Sequence, residues 1–83
     1  MSSSEVAEFA EISLRDAIAR AIGCDPDQIG LGDDLLDHGL DSIRLMSLID
    51  RWAEQGAKVS FAELAAEPNV TAWAALLSAR AAS

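Results

Sequence analysis

The ten residues Asp37-His38-Gly39-Leu40-Asp41-Ser42-Ile43-Arg44-Leu45-Met46 decide how the chain reads. A polar segment with a flexible glycine, Gly39, runs into Asp41-Ser42, and an apolar pattern of helical period begins at once. Asp41 is a good N-cap residue, which places Ser42 in the first helical turn. A hydroxyl there faces unpaired backbone N–H groups and the positive end of the helix dipole, and both favour a phosphate at that spot. Capping alone also accounts for an Asp-Ser pair at a helix start. The meaning of Ser42 therefore depends on the rest of the chain.

Outward from this stretch, the chain is small and acidic. Its 83 residues make one domain, near the lower limit of what folds without staples. We expect a single domain over 1–83, with its core about 5–80 and short flexible termini. The single cysteine excludes an internal disulfide and suggests a reducing compartment. No Arg-rich leader and no apolar run of membrane-spanning length is present, so a soluble, cytoplasmic chain is expected, and we take it to be a monomer. Fourteen acidic against six basic residues give a net charge of −8. That balance argues against nucleic acid and anionic membrane as partners and suits proteins with basic surfaces. Abundant Ala and Leu, with no Tyr, read as all-α.

Upstream, the spacing predicts a helix from about Glu5 to Ile22, capped by Ser3 or Ser4 and ended by Gly23. Val6, Ala10, Leu14, Ala17, Ile18 and Ala21 fall on one face, while Phe9 and Ile12 project elsewhere. Either that helix starts later or the two side chains cover a neighbouring element. Residues Gly23 to Asp41 form a long loop in which Ile29, Leu31, Leu35, Leu36 and Leu40 are expected anchors. Asp33-Asp34-Leu35-Leu36 is a candidate helical turn. Asp25, Asp27 and Gly30 stand at the first, third and sixth places of an EF-hand loop. Ile29 and Leu36 then occupy places that need oxygen ligands, so no metal site is assigned.

Downstream, a helix over Ser42 to about Gln55 buries Leu45, Leu48, Ile49 and Trp52 and closes at Gly56. Ala57-Lys58-Val59 crosses back as an extended piece. Ser60-Phe61-Ala62-Glu63 fits a capping box that opens a short helix through Ala66. Pro68 stops it. Asn69 caps a last helix with Val70, Trp73, Leu76 and Leu77 on its apolar face, and Arg80 near its C-terminus suits the dipole. Trp52 and Trp73 are core residues on this reading, and Cys24 is a buried structural thiol.

Gly39-Leu40-Asp41-Ser42-Ile43, with Leu45 three residues after the serine, resembles the attachment motif of acyl, peptidyl and aryl carrier proteins. The order of helices resembles that family across roughly Leu14 to Leu77. The resemblance implies a four-helix carrier-protein bundle, with three main helices, one short helix and a long first loop. It implies that Ser42 bears 4′-phosphopantetheine through a phosphodiester. It further implies that coenzyme A is the donor and that a Mg²⁺-dependent phosphopantetheinyl transferase recognises Gly39 and Asp41. Leu35-Leu36-Asp37-His38-Gly39-Leu40-Asp41-Ser42-Ile43-Arg44-Leu45-Met46, Asp50-Arg51-Trp52 and Val59-Ser60-Phe61-Ala62-Glu63-Leu64 look most like the aryl carriers of siderophore-type nonribosomal peptide synthesis. The partners implied are an aryl-acid adenylation enzyme and a condensation-type enzyme. Fatty-acid carriers usually place acids along the second helix where this chain has Arg44 and Arg51. A peptidyl carrier, a polyketide-type acyl carrier and a cofactor-free helical interaction module are the alternatives.

On this reading the chain is no enzyme. It has no room for both a core and a water-excluding pocket. His38 and Asp41 lie near Ser42, yet no Gly-x-Ser-x-Gly elbow or oxyanion loop accompanies them. Ile43, Met46, Phe61 and Ala65 are candidates for an apolar docking patch, with completion of the core as the competing role, evenly balanced for Phe61. Arg44 and Arg51 are read as surface ion-pair partners of Asp50, Glu54 or loop aspartates, with an acidic protein as the alternative.

Overall fold

Residues 9–82 are described by a computed structural model, and within them the chain forms four α-helices and one 3₁₀ turn. The helices are α1 (Glu11–Ile22), α2 (Ser42–Glu54), α3 (Phe61–Ala66) and α4 (Val70–Ala82), with the 3₁₀ turn at Pro26–Gln28. No strand occurs among the described residues. The all-α architecture read from composition and periodicity is the one observed.

The first helix begins later than its spacing suggests. Ala10 has extended backbone (φ −67°, ψ 153°) and serves as N-cap, so α1 starts at Glu11 rather than Glu5. Packing explains the break. Phe9, one residue before the cap, is buried against the core, which a continuous helix would not allow together with exposed Ile12. Val6 and the Ser3 or Ser4 cap lie outside the described residues. Gly23 ends α1 in the left-handed region (φ 92°), as anticipated.

One core joins all four helices. Leu14 and Ile18 of α1 meet Leu45, Leu48 and Trp52 of α2, Leu64 of α3, and Val70, Trp73 and Leu77 of α4. The Trp52 and Trp73 rings meet edge to face, 6.1 Å between centroids at 71°. Such aromatic pairs add about 0.5–1.5 kcal/mol beyond their burial. Trp73 Nε1–H donates to the Leu64 carbonyl at 2.9 Å, which satisfies the buried indole and fixes α4 against α3.

The long loop is held to this frame by side chains and by backbone. Ile29, Leu35 and Leu40 are buried, each contributing about 1.5–3 kcal/mol by ordinary transfer arithmetic. Leu31 is half-buried, whereas Leu36 is exposed and is not the anchor its spacing suggested. The reason is local. A run of hydrogen-bonded turns (Asp37 N–H to Asp34 O, His38 N–H to Leu35 O, Gly39 N–H to Leu36 O) sends Leu35 inward and its neighbour outward. These turns replace the helical piece expected at 33–36, and the 3₁₀ helix forms at Pro26–Gln28 instead. Leu35 N–H donates to Pro68 O at 2.8 Å, and Thr71 N–H donates to Leu31 O at 3.2 Å. The loop is thus stitched to the α3–α4 junction.

At six residues, α3 is too short to hold itself. Ser60 Oγ accepts the Glu63 N–H at 3.2 Å, and Glu63 Oε1 accepts the Ser60 N–H at 3.0 Å, the reciprocal box expected from Ser-x-x-Glu. Arg80 adds a contact that the sequence does not reveal. Its guanidinium donates to the Lys58 carbonyl at 2.9 Å and to the Glu63 carboxylate, joining the end of α4 to the start of α3. Hydrogen bonding from Arg80, then from the Ser60 N–H, holds the Glu63 carboxyl down from 4.5 to about 2.

A depressed carboxyl pKa stabilises the fold fully above the unfolded value, and that contribution disappears as pH falls through the folded one. Thermal unfolding followed from pH 6 to about pH 2 should therefore show stability declining across the window between 4.5 and about 2. Glu63→Gln should flatten that part of the decline. An unchanged acid limb in the variant would show that Glu63 is not linked to folding.

Candidate functional site

The site begins with the residues that set where α2 starts. Gly39 takes φ +100°, a left-handed conformation that side chains rarely adopt, and turns the chain from the loop toward the helix. Leu40 then drops into the core and Asp41 returns to extended backbone (φ −89°, ψ 175°). Asp41 Oδ1 accepts the Arg44 N–H at 2.9 Å, and its carbonyl accepts the Leu45 N–H at 3.0 Å. This is the N-cap the sequence called for, and it makes Ser42 the first residue of α2.

Ser42 is exposed, and its hydroxyl makes no hydrogen bond among the described residues. The N–H groups of Ser42 and Ile43 stay outside the helix's own ladder, as the first turn of any helix requires. A group joined to the Ser42 oxygen would project into solvent beside two donors and the positive helix end. Such a location suits a phosphodiester.

Among the described residues, no side chain is hydrogen-bonded to the hydroxyl as a base would be. His38 Nε2–H donates to Asp33 Oδ2 at 3.0 Å, and the same carboxylate accepts the Gly30 N–H at 2.9 Å. These two contacts, His38 foremost, lower the Asp33 pKa. Asp41 is engaged at both oxygens, because Arg44 Nη1 also donates to Oδ2 at 2.8 Å. His38 and Asp41 thus have separate partners, and the three side chains form no relay. Among the described residues, no group of three or more His, Cys, Asp and Glu side chains is placed to hold a metal ion.

Around Ser42 the side chains divide by exposure. Leu45 is fully buried, whereas Ile43 is 79% and Met46 48% exposed. Phe61 at the head of α3 is 39% exposed, and Ala65 is half-buried. α2 and α3 pack together, so all four candidates lie on one pair of adjoining helices. Cys24 is half-buried against the core rather than fully enclosed. Arg44 joins the site as an addition. Its pairing with Asp41 was legible in outline, since opposite charges three apart on a helix are neighbours.

The phosphopantetheine attachment site family matches residues 13–77 of the chain. Isochorismatase of Bacillus subtilis is 43% identical over 68 residues, covering 82% of this chain and 22% of that protein. Phenyloxazoline synthase MbtB of Mycobacterium tuberculosis is 46% identical over 66 residues, 80% of this chain and 5% of the synthase. Acyl carrier protein ScoB of Streptomyces coeruleorubidus is 46% identical over 67 residues, 81% of this chain and 79% of its own length. The chain thus spans a small fraction of the first two relatives and most of the third. No solved structure matches it.

The exposure pattern sets an expectation for stability. Leu45→Ala should cost about 2–5 kcal/mol, the usual price of deleting a buried leucine. Met46→Ala and Ile43→Ala should each stay within about 0.5 kcal/mol of the parent. Urea denaturation of the three variants measures this, and a core-sized loss in Met46→Ala would remove Met46 from the surface patch.

Proposed function

The chain belongs to the phosphopantetheine attachment site family, and we propose on that premise that Ser42 is the residue that receives the arm. Members of the family carry 4′-phosphopantetheine covalently. The observation that carries the assignment is the exposed, unbonded Ser42 hydroxyl at the capped head of α2. A phosphopantetheinyl transferase attaches the arm from coenzyme A and reads Gly39 and Asp41 at the entrance to the helix. The arm's thiol then holds an acyl group as a thioester. The carrier performs no chemistry of its own and works where coenzyme A is found, in the cytoplasm.

The cargo on this reading is an aryl acid, loaded by an adenylation enzyme and passed to a condensation-type enzyme of siderophore-type nonribosomal peptide synthesis. Support comes from the 46% identity to a synthase whose name specifies a phenyl-bearing product. Arg44 and Arg51 on α2 also fit this branch better than the acid-lined helix usual in fatty-acid carriers. The match to ScoB, named an acyl carrier protein, supports the carrier role itself across most of that protein's length. The enzymes that load and unload the arm dock on Ile43, Met46, Phe61 and Ala65. Met46 there supplies an adaptable apolar contact.

Two measurements test this reading. Intact-mass analysis after incubation with coenzyme A, Mg²⁺ and a broad-specificity transferase should show a gain of one phosphopantetheine, absent in Ser42→Ala. A folded chain that gains nothing would sink the proposal. For the docking face, Met46→Ala should load with its arm normally and then pass its acyl group to the condensation enzyme at least several-fold more slowly. Equal transfer rates would remove Met46 from the interface.

A further inference from the structure

Asp41 has two jobs on the reading above: it caps α2, and it offers a charge to the transferase. In the structure both oxygens of this carboxylate are already engaged by Arg44. Oδ1 is taken by the Arg44 backbone N–H at 2.9 Å and Oδ2 by the Arg44 guanidinium at 2.8 Å. The capping bond uses backbone and is indifferent to the side chain at position 44. The second bond depends wholly on Arg44 being arginine. In the free protein, the residue next to the modified serine is therefore part of an internally neutralised pair.

We infer that Arg44 is a specificity-determining residue of the modification step, setting how much of the Asp41 charge an incoming transferase meets. The inference rests on Ser42 being the acceptor. A transferase that reaches for Asp41 with a cationic side chain must displace the Arg44 guanidinium or bind beside it, against a like charge. Displacement is feasible because both side chains are about half exposed, 49% for Arg44 and 53% for Asp41. Exposed pairs of this kind are weak and screened by salt. A transferase that avoids Asp41 and uses apolar contacts on Ile43 and Met46 is unaffected. Arg44 thus favours the second kind of partner in a protein that is otherwise strongly acidic.

The test is a double-mutant cycle on the whole chain, with Arg44→Gln, Asp41→Asn and the pair, using coenzyme A and a transferase with a basic carrier-binding face. Asparagine keeps the N-cap, and circular dichroism confirms that α2 survives in each variant. At low salt, Arg44→Gln should raise kcat/KM by roughly two- to fivefold, the factor by which an exposed ion pair competes. The gain should lie in KM and fade at high salt. Asp41→Asn should cost more in the Arg44→Gln background than in the parent. The inference is overturned if Arg44→Gln is modified at the parent rate or more slowly, or if its gain survives Asp41→Asn. Failure of both the parent and Arg44→Gln to accept an arm, from this transferase and from a broad-specificity one alike, would instead count against Ser42 as acceptor, so the two failures are distinguishable.

Discussion

The hydrogen bond from Leu35 N–H to the Pro68 carbonyl, made beside a fully buried Leu35 side chain, is the tie on which the rest of the molecule depends. A loop from Gly23 to Asp41 carries many backbone groups and much conformational entropy, and a small domain has little core with which to offset them. Leu35 fixes the loop's middle to the α3–α4 junction, Ile29 fixes its start and Leu40 its end. With those points fixed, Gly39 and Asp41 have a defined place. The first turn of α2 then presents Ser42 at the surface. The position of the serine is a consequence of loop anchoring more than of helix packing.

The division of labour around Ser42 follows the helical period. Leu45 and Leu48 turn inward to the core, while Ile43 and Met46, on the same helix, stay in contact with water. Apolar side chains left exposed at this density beside a surface hydroxyl suit a partner that arrives and leaves. The stabilising contacts lie elsewhere, in the tryptophan pair and in the Arg80–Glu63 bridge. The exposed side chains Ile43 and Met46 can therefore vary with little effect on the fold.

Much of this was legible in the residues. The caps were readable because Asp41, Ser60 and Asn69 each have a short acceptor side chain at the right offset, and all three accept the bond expected of them. The stripes on α2 and α4 followed from spacing, except that Ile49 and Leu76 lie at their edges and are only half-buried. The start of α1 did not, because Phe9 is placed by a tertiary contact that overrides a favourable helical pattern. Leu36 misled for a similar reason, since turn geometry and not apolarity decided which leucine of the pair faced inward. Arg80 looked like a dipole partner but reaches across to α3, a contact between residues 17 apart that no local rule encodes. At the site itself, Ser42 is marked by its motif, whereas the engagement of both Asp41 oxygens by Arg44 depends on side-chain conformations that no motif encodes.

The central claim is that the capped head of α2 presents one particular serine for modification. Tandem mass spectrometry of peptides from the modified chain tests it most directly. The account predicts that the phosphopantetheine is found on the peptide spanning Gly39 to Met46 and fragments to Ser42 alone. Localisation on Ser47, Ser60 or any other serine would contradict it.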